Sequence, residues 1–257
     1  MIKENFILNK LKNNQSVIGT WSTIPSPIVT DILCSSNLDF VIIDMEHGPI
    51  SFETAQEMII TSESRNVSPI IRVPSVNQND SLRSLDIGAH GIQFPNIDSI
   101  DDVNKIMNYC CYPPKGNRGF SPFTRAGNYS IKNAQSLTEK SNKNILKIIN
   151  IENKKIAENI DDFITQDIDV FFIGLYDMSK SFGIPGQIND KTFQEYIKKL
   201  NKKIIDSGKI TGTITTDMDS LEYYKNIGMK YLVHLVDCEM LNNSYSQIVN
   251  YFKKLNE

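Results

Sequence analysis

Residues 40–50, FVIIDMEHGPI, join an unbroken apolar run to an abruptly polar end. A strand with one face in water alternates apolar and polar residues, whereas an unbroken run of this length is typical of a parallel sheet buried on both faces. The carboxylates Asp44 and Glu46 and the imidazole of His47 follow directly, before Gly48-Pro49 turns the chain. The segment therefore predicts a buried parallel strand whose carboxyl end carries groups capable of acid–base chemistry.

Seven other apolar runs of strand length occur along the chain, and segments with helical periodicity separate most of them. The eight runs are SVIGTW (16–21), FVIID (40–44), PIIRV (69–73), GIQFP (91–95), LKIINIE (146–152), VFFIG (170–174), ITGTIT (210–215) and YLVHLVD (231–237). This alternation predicts an α/β fold, and eight strands in 257 residues fit a single (β/α)8 TIM barrel that spans residues 1–257. A doubly wound open sheet is the alternative, because strand order cannot be deduced from the sequence.

Composition narrows the possible functions. The formal net charge of −3 provides no basic field for a nucleic-acid backbone. No apolar stretch approaches the ~20 residues that span a bilayer, and the first 14 residues predict a short amphipathic helix rather than a signal peptide. The four cysteines have neither metal-site nor CxxC spacing, which indicates free thiols in a cytoplasmic protein.

Polar or otherwise conspicuous side chains recur where the predicted strands end. Besides those of the second strand, these residues are Trp21, Arg72, Gln93, Asn150, Glu152, Gly174, Tyr176, Asp177 and Asp237. The carboxyl ends of barrel strands meet at one rim, and the active sites of such barrels are built there. The sequence therefore predicts that several of these side chains converge on one site.

Glu152 and Asp177 are candidate metal ligands, because hard carboxylate oxygens suit Mg²⁺ or Mn²⁺ and leave positions for water and substrate. A cation held there would polarise a ketone and stabilise an enolate. Asp177 could instead only cap the helix that follows it. Schiff-base aldolases need a lysine at a strand end, whereas Lys147, Lys209 and Lys230 lie at strand beginnings, so a metal–enolate mechanism is favoured over an imine.

Arg72 and His47 are candidate catalytic residues. A guanidinium within a buried strand needs a carboxylate partner or an anionic ligand, and Arg72 would face the same substrate oxygen as the metal. Histidine exchanges protons near neutral pH, so His47 is the candidate proton shuttle, oriented by Asp44 or Asp86. A histidine taken alone is more often structural, and Asp86 could equally pair with Arg72 or merely end a helix.

Eight motifs in fixed order allow a comparison with known families: GTW (19–21), IDMEHGP (43–49), IRVP (71–74), LDIGAHGI (85–92), YPPKGNRG (112–119), TRA (124–126), NIEN (150–153) and FIGLYDMSKSFGIPG (172–186). With them the chain resembles the HpcH/HpaI aldolase family along essentially its whole length. A D-x-E-H motif alone is weakly specific, whereas its combination with I-E and F-I-G-x-x-D in register is strongly so. The family comprises class II pyruvate aldolases, including 4-hydroxy-2-oxoheptanedioate and 2-keto-3-deoxy-sugar-acid aldolases.

The resemblance implies a (β/α)8 barrel and a homohexamer built from dimers that exchange their C-terminal helix. By matching position, Glu152 and Asp177 would bind a divalent metal ion (Mg²⁺, Mn²⁺ or Co²⁺), which pyruvate would chelate through its carboxylate and keto oxygens. Backbone amides from Gly174 to Asp177 would hold the pyruvate carboxylate, and Arg72 would stabilise the enolate.

The resemblance also assigns the remaining site residues. His47 would be the base with Asp86 as its partner, and Asp44 would contact the site residues rather than the substrate. Trp21, Gly174, Tyr176, Asn150 and Arg72 would contact the substrate.

The chain departs from the common family pattern at three sites. Asn150 stands where glutamine is common, Leu175-Tyr176 where Pro-Ala is common, and Leu235 where a glycine is common. All three lie near the expected place of the aldehyde, so the acceptor specificity of familiar members is not transferable. Arg118 and Arg125 match loop motifs that help to build the site or its oligomeric wall, although both could be surface ion pairs.

These observations predict an aldehyde-lyase: a divalent-metal-dependent class II aldolase that reversibly cleaves a 4-hydroxy-2-oxo acid to pyruvate and an aldehyde. One alternative is a carbon–carbon lyase of the citrate-lyase β type, which would require a basic cleft for a CoA thioester. A second alternative is a catalytically silent binding relative, whose mark would be loss of Glu152, Asp177, Arg72 or His47, and all four are present. The expected partners are small molecules, not nucleic acid or membranes.

Overall fold

The computed structural model describes residues 5–256, in which eight parallel strands close into a barrel in chain order. The strands are β1 (Val17–Ser22), β2 (Phe40–Asp44), β3 (Ser68–Arg72), β4 (Gly91–Phe94), β5 (Leu146–Ile151), β6 (Val170–Ile173), β7 (Ile210–Thr215) and β8 (Tyr231–Val236). Each matches a predicted strand to within one residue at either end. Because β1 pairs in parallel with both β2 and β8, the sheet is closed and the open alternative is excluded. The (β/α)8 fold is confirmed, whereas the assignment of residues 1–257 to one domain stays a prediction.

Helices surround the barrel. They are α1 (Phe6–Lys12), α2 (Pro27–Ser35), α3 (Phe52–Ser64), α4 (Gln78–Asp86), α5 (Ile100–Cys110), α6 (Ala134–Asn144), α7 (Lys154–Glu158), α8 (Ile160–Ile164), α9 (Leu175–Ser181), α10 (Lys191–Asp206), α11 (Met218–Asn226) and α12 (Asp237–Lys254). Several begin at a Ser, Asn or Asp whose side chain accepts a backbone hydrogen bond from the first turn. Residues 111–130 form an irregular loop between α5 and a 3-10 turn at Ile131–Asn133. Within residues 5–256 no helix is long and apolar enough to cross a membrane.

Aromatic rings fill the lower part of the barrel. The rings of Phe40 and Tyr231 stack with their centroids 4.2 Å apart, and Phe172 meets Tyr231 edge-on at 6.3 Å. Two strand glycines make room for them. A Cβ on Gly19 would lie 2.5 Å from the Phe40 ring, and one on Gly212 would lie 2.3 Å from the carbonyl oxygen of Tyr231. The barrel interior is therefore a packed core rather than a pore.

The amino end of the barrel is covered by α1, which the sequence predicted as an amphipathic helix. Ile7, Leu8 and Leu11 are buried and belong to the same apolar cluster as the inward-facing strand residues. Asn5 caps this helix by accepting a hydrogen bond from the Leu8 amide. With this end covered, the carboxyl rim is where ligands can enter.

The C-terminal helix α12 is anchored at its first residue and projects from the barrel. Asp237 is 2% exposed and accepts hydrogen bonds from Ser22 Oγ, from the Thr23 amide and hydroxyl, and from the amides of Ile24 and Cys238. Residues 238–256 are all exposed. Exchange of this helix between subunits stays a prediction.

Candidate active site

A cleft of about 420 Å³ opens at the carboxyl rim of the barrel. Its lining residues are Trp21, Thr23, Asp44, His47, Arg72, Asn150, Glu152, Phe172, Gly174, Leu175, Tyr176, Asp177, Ile214, Val236 and Cys238. Nine of them form two groups. We call Asp44, Arg72, Asn150, Glu152 and Asp177 the charged half, and Trp21, Phe172, Ile214 and Val236 the apolar half. The first four members of the charged half lie on or directly after β2, β3 and β5, whereas the apolar half lies on β6, β7, β8 and β1.

Arg72 is held by carboxylates on two sides. Its Nε and Nη2 donate to the two oxygens of Asp44 at 2.9 and 2.6 Å, and Asp44 is the register partner of Arg72 across β2 and β3. Its Nη1 lies 3.1 Å from Glu46 Oε2, a charge–charge contact rather than a well-directed hydrogen bond. The guanidinium carbon lies 4.0 Å from the ring centroid of Trp21. The predicted need for a carboxylate partner is thus met by Asp44 and Glu46, not by Asp86.

The turn after β2 presents His47 to solvent. Asp44 Oδ1 accepts hydrogen bonds from the amides of Glu46 and His47, which fixes the turn. The side chain of His47 is 68% exposed, and its Nε2 lies 3.8 Å from Glu46 Oε2. Burial raises the pKa of Glu46, and Arg72 and His47 offset this rise only in part. Among residues 5–256, Glu46 is the one carboxylate within ion-pair distance of His47.

A chain of amides orients Glu152. Gln93 Nε2 donates to Asn150 Oδ1 at 2.7 Å, and Asn150 Nδ2 donates to Glu152 Oε1 at 2.7 Å. The other Glu152 oxygen accepts the Asn96 amide at 2.9 Å. A Cβ on Gly174 would lie 2.9 Å from Glu152 Cγ, so a larger residue at position 174 would displace this side chain.

Asp177 completes the pair of candidate metal ligands. It lies in the first turn of α9, is exposed, and lines both the cleft and an adjoining groove together with Glu152. Within residues 5–256 no group of three His, Cys, Asp or Glu side chains could hold a metal ion. Two carboxylates with open positions suit Mg²⁺ or Mn²⁺, which keep water or substrate oxygens among their ligands.

The apolar half forms a continuous wall. Trp21 and Phe172 meet edge-on with their ring centroids 5.8 Å apart, and Trp21 pairs in register with Val236. Between Phe172 and Val236 around the barrel lies Ile214, which packs against the same apolar cluster. Leu235, next to this wall, has a φ of +50°, a left-handed conformation that favours glycine.

Asp86 lies apart from this cleft. Its carboxylate accepts a hydrogen bond from Arg118 Nη2 at 2.7 Å, and burial raises its pKa despite that bond. Arg118 is buried beside a cavity of about 30 Å³ that Glu63, His90 and Arg125 also line. Glu63 accepts hydrogen bonds from His90 and Arg125 there, so Arg118 and Arg125 make internal ion pairs rather than surface ones. The pairing of Asp86 with His47 stays a prediction.

The profile of the HpcH/HpaI aldolase/citrate lyase family matches residues 17–233, which include all eight strands except the last three residues of β8. The chain belongs to the HpcH/HpaI aldolase/citrate lyase family. This confirms the family resemblance.

Relatives of the family cover nearly the whole chain. A hydroxypyruvate/pyruvate aldolase of Roseobacter denitrificans is 29% identical and covers 97% of this chain and 98% of its own length. A 5-keto-4-deoxy-D-glucarate aldolase of Enterobacter sp. strain 638 is 26% identical over 92% of each chain. Aldolases are carbon–carbon lyases, so the predicted enzyme class is confirmed.

Two solved structures superpose on nearly the whole chain. An HpcH/HpaI aldolase of Desulfitobacterium hafniense DCB-2 has a TM-score of 0.91 at 26% identity, with 96% of each chain covered. The citrate synthase SbnG has a TM-score of 0.87 at 25% identity and covers 99% of this chain and 100% of its own.

Most residues predicted for the site line one cleft of this family member. They are Trp21, Asp44, His47, Arg72, Asn150, Glu152, Gly174, Tyr176 and Asp177. Three further residues contact a predicted site residue: Glu46 and Gln93, noted at strand ends in the sequence without a specific role, and Asn96, which was not noted. The sequence signal for a role was position alone: Glu46 comes two residues after β2, Gln93 lies within β4, and Asn96 comes two residues after β4.

Proposed function

We propose that the chain is a divalent-metal-dependent class II aldolase that reversibly cleaves a 4-hydroxy-2-oxo acid to pyruvate and an aldehyde. The observation that carries this proposal is the convergence of Arg72, Glu152 and Asp177 on one cleft of a barrel from an aldolase family. Cleavage of a 4-hydroxy-2-oxo acid breaks its C3–C4 bond and develops negative charge on the ketone oxygen, which the guanidinium and a divalent cation held by the two carboxylates would stabilise.

Glu152 and Asp177 fit a hard divalent ion. Each oxygen of Glu152 accepts one hydrogen bond, which orients the carboxylate and leaves further lone pairs. Asp177 makes no hydrogen bond or ion pair with the other side chains of residues 5–256. A divalent cation bound there would supply Lewis-acid polarisation of the ketone.

Arg72 supplies positive charge that the fold fixes in advance. Asp44 and Glu46 hold its guanidinium in one orientation, and Trp21 covers its face. A preoriented cation stabilises developing negative charge without the cost of reorganisation at the moment of reaction. Arg72 therefore favours the enolate of pyruvate over the neutral ketone.

His47 moves the proton of the 4-hydroxyl group. It lines the cleft, is accessible to solvent, and has Glu46 within ion-pair distance. Removal of that proton starts the cleavage, and its return to the aldehyde oxygen completes the reverse reaction. The proposal includes the pairing of Asp86 with His47 in the assembled protein.

A carbon–carbon lyase acting on a CoA thioester is the competing function, and similarity to a citrate synthase bears on it only at the level of fold and family. Among the lysine and arginine side chains of residues 5–256, Arg72 alone lines the cleft. A thioester carrying several phosphates would need more cations than this, so the aldolase is favoured.

The experiment is a coupled pyruvate-release assay with 4-hydroxy-2-oxo acids and Mg²⁺, Mn²⁺ or Co²⁺. Glu152→Ala and Asp177→Ala are expected to abolish turnover while circular dichroism shows a folded protein. Glu195→Ala, an exposed carboxylate on α10, serves as control and is expected to behave like the wild type. Full activity in EDTA, or in either ligand variant, would contradict the proposal.

We also propose that α12 packs on a second copy of this chain, as the resemblance implies. The helix carries apolar side chains that are 45–68% exposed, namely Met240, Leu241, Tyr245, Ile248, Val249, Tyr251 and Phe252. Contiguous exposed apolar surface of this kind marks an interface. Light scattering after size exclusion is expected to show a homo-oligomer, and a monomer with α12 intact would contradict this.

A further inference from the structure

The two halves of the cleft differ in chemistry, and this difference indicates which aldehyde the proposed aldolase accepts. The inference rests on the proposed function. The strands of the charged half (β2, β3 and β5) and those of the apolar half (β6, β7, β8 and β1) form two consecutive arcs of the closed barrel, and Asp177, which follows β6, lies where the arcs of β5 and β6 meet. Arg72 lies at their boundary because its guanidinium contacts the Trp21 ring.

We propose that the acceptor is a small aldehyde without a negative charge, bound against the apolar half. The keto acid belongs to the charged half, where Arg72 and the two candidate metal ligands lie. The new carbon–carbon bond therefore forms toward Trp21, Ile214 and Val236. Apolar wall of this kind stabilises an uncharged chain by burial and offers no partner to a carboxylate.

The electrostatics of the cleft also disfavour a charged acceptor. Asp44 and Glu46 contact the guanidinium of Arg72, and Glu152 and Asp177 line the same cleft, in which Arg72 is the one lysine or arginine among residues 5–256. A bound divalent cation leaves this group net negative, and the keto acid adds a further negative charge. A second carboxylate on the aldehyde would enter a field of like charge, which is a means of rejecting a substrate.

Arg72 cannot serve as the receptor for that second carboxylate. Its Nε and Nη2 both donate to Asp44, its Nη1 lies 3.1 Å from Glu46 Oε2, and Trp21 covers one face. The adjoining groove contains Lys180, but Asp98, Glu152 and Asp177 line the same groove. Acidic side chains therefore outnumber basic ones there too.

The test compares aldehydes of equal chain length that differ in one terminal carboxylate. With pyruvate and Mg²⁺, kcat/KM is measured for glycolaldehyde against glyoxylate and for butanal against 4-oxobutanoate. We expect the uncharged member of each pair to be preferred by about 10-fold or more, the scale on which a binding pocket discriminates related substrates. We expect the preference to shrink as salt is raised, because salt screens charge repulsion. Equal or better use of the acids would overturn the inference.

Ile214→Lys tests the apolar half directly. A cation placed there is expected to shift the preference toward the acidic aldehydes by about 10-fold, one step of 1.4 kcal/mol. Ile214→Met is the matched control, since it is similar in size and uncharged, and it is expected to retain the wild-type preference. Lys180→Ala is expected to retain it as well. An unchanged preference in Ile214→Lys, or loss of acid turnover in Lys180→Ala, would overturn the assignment.

Failure of this inference can be told apart from failure of the proposed function. Exchange of the pyruvate methyl protons in D₂O, followed by NMR, reports enolate formation without any aldehyde. Methyl exchange together with a preference for acidic aldehydes overturns the inference alone. Absence of methyl exchange in the presence of Mg²⁺ overturns the proposed function, and this inference with it.

Discussion

Removal of Asp44 is expected to destabilise the protein strongly, because it leaves a buried guanidinium without its main partner. The side chains of Asp44 and Arg72 are 1% and 12% exposed, and two hydrogen bonds join them. Breaking one side of a buried ion pair costs about 3–5 kcal/mol. Glu46 remains within 3.1 Å of Arg72, so the lower end of that range applies to Asp44→Ala.

The assay is thermal unfolding followed by fluorescence of Trp21, the single tryptophan of the chain. A loss of about 3 kcal/mol corresponds to a fall in melting temperature of roughly 6–12 °C for a chain of this size. Asp44→Asn separates two effects. It keeps an acceptor for the amides of Glu46 and His47 but removes the charge, so we expect an intermediate loss.

The chain contains a matched control for burial. Asp31 and Arg65 make the same two-pronged contact, at 2.7 and 2.9 Å, but their side chains are 42% and 48% exposed. Exposed pairs contribute little to stability, so Asp31→Ala is expected to leave the unfolding midpoint nearly unchanged. If Asp31→Ala and Asp44→Ala lowered the midpoint equally, burial would not be the reason for the stability of the inner pair.

Three further predictions concern single residues. Gln93→Leu is expected to weaken Mn²⁺ binding by about 10–100-fold, the usual cost of losing a group that orients a metal ligand; titration followed by electron paramagnetic resonance measures it, and unaltered affinity would contradict it. At position 235, whose φ is +50°, glycine is expected to be more stable than alanine by about 1 kcal/mol, because both lack the leucine side chain and only alanine is strained there; equal melting temperatures would refute the strain. Burial raises the pKa of Glu63, but hydrogen bonds from His90 and Arg125 outweigh it and lower the pKa to about 2 from 4.5. The contribution of Glu63 to the free energy of unfolding is therefore present above pH 4.5 and lost as the pH falls toward 2. The melting temperatures of Glu63→Gln and wild type are expected to differ at neutral pH and to converge near pH 2.

The strands were predictable because each is a short segment rich in β-branched or aromatic residues, separated from the next by helical periodicity or loop residues. FVIID and ITGTIT coincide with β2 and β7 at both ends. Closure of the sheet was less accessible, because the pairing of β1 with β8 joins segments more than 200 residues apart along the chain. Eight strands favoured the barrel over the open sheet, but only the pairing excluded the latter.

The site was predictable where residue type and strand end coincide, as at Arg72 and Glu152. Which side chains pair with one another was not predictable. The sequence left Asp44 and Asp86 as alternatives for orienting His47, and it left the partner of Arg72 open. Strand register decides the second question, since residue 44 lies beside residue 72 in the sheet. The chain of amides through Gln93 was hidden for a similar reason, because Gln93 and Asn150 are 57 positions apart.

The anchoring of α12 at Asp237 couples the outermost helix to the cleft. The same carboxylate holds the Thr23 backbone and side chain, and both Thr23 and Cys238 line the cleft. A tilt of α12 about its first turn would move the rim of the apolar half with it. The surface against which the projecting part of α12 packs therefore helps to set the width of the cleft entrance. If subunits dissociate on dilution, the preference for one aldehyde over another is expected to change with protein concentration.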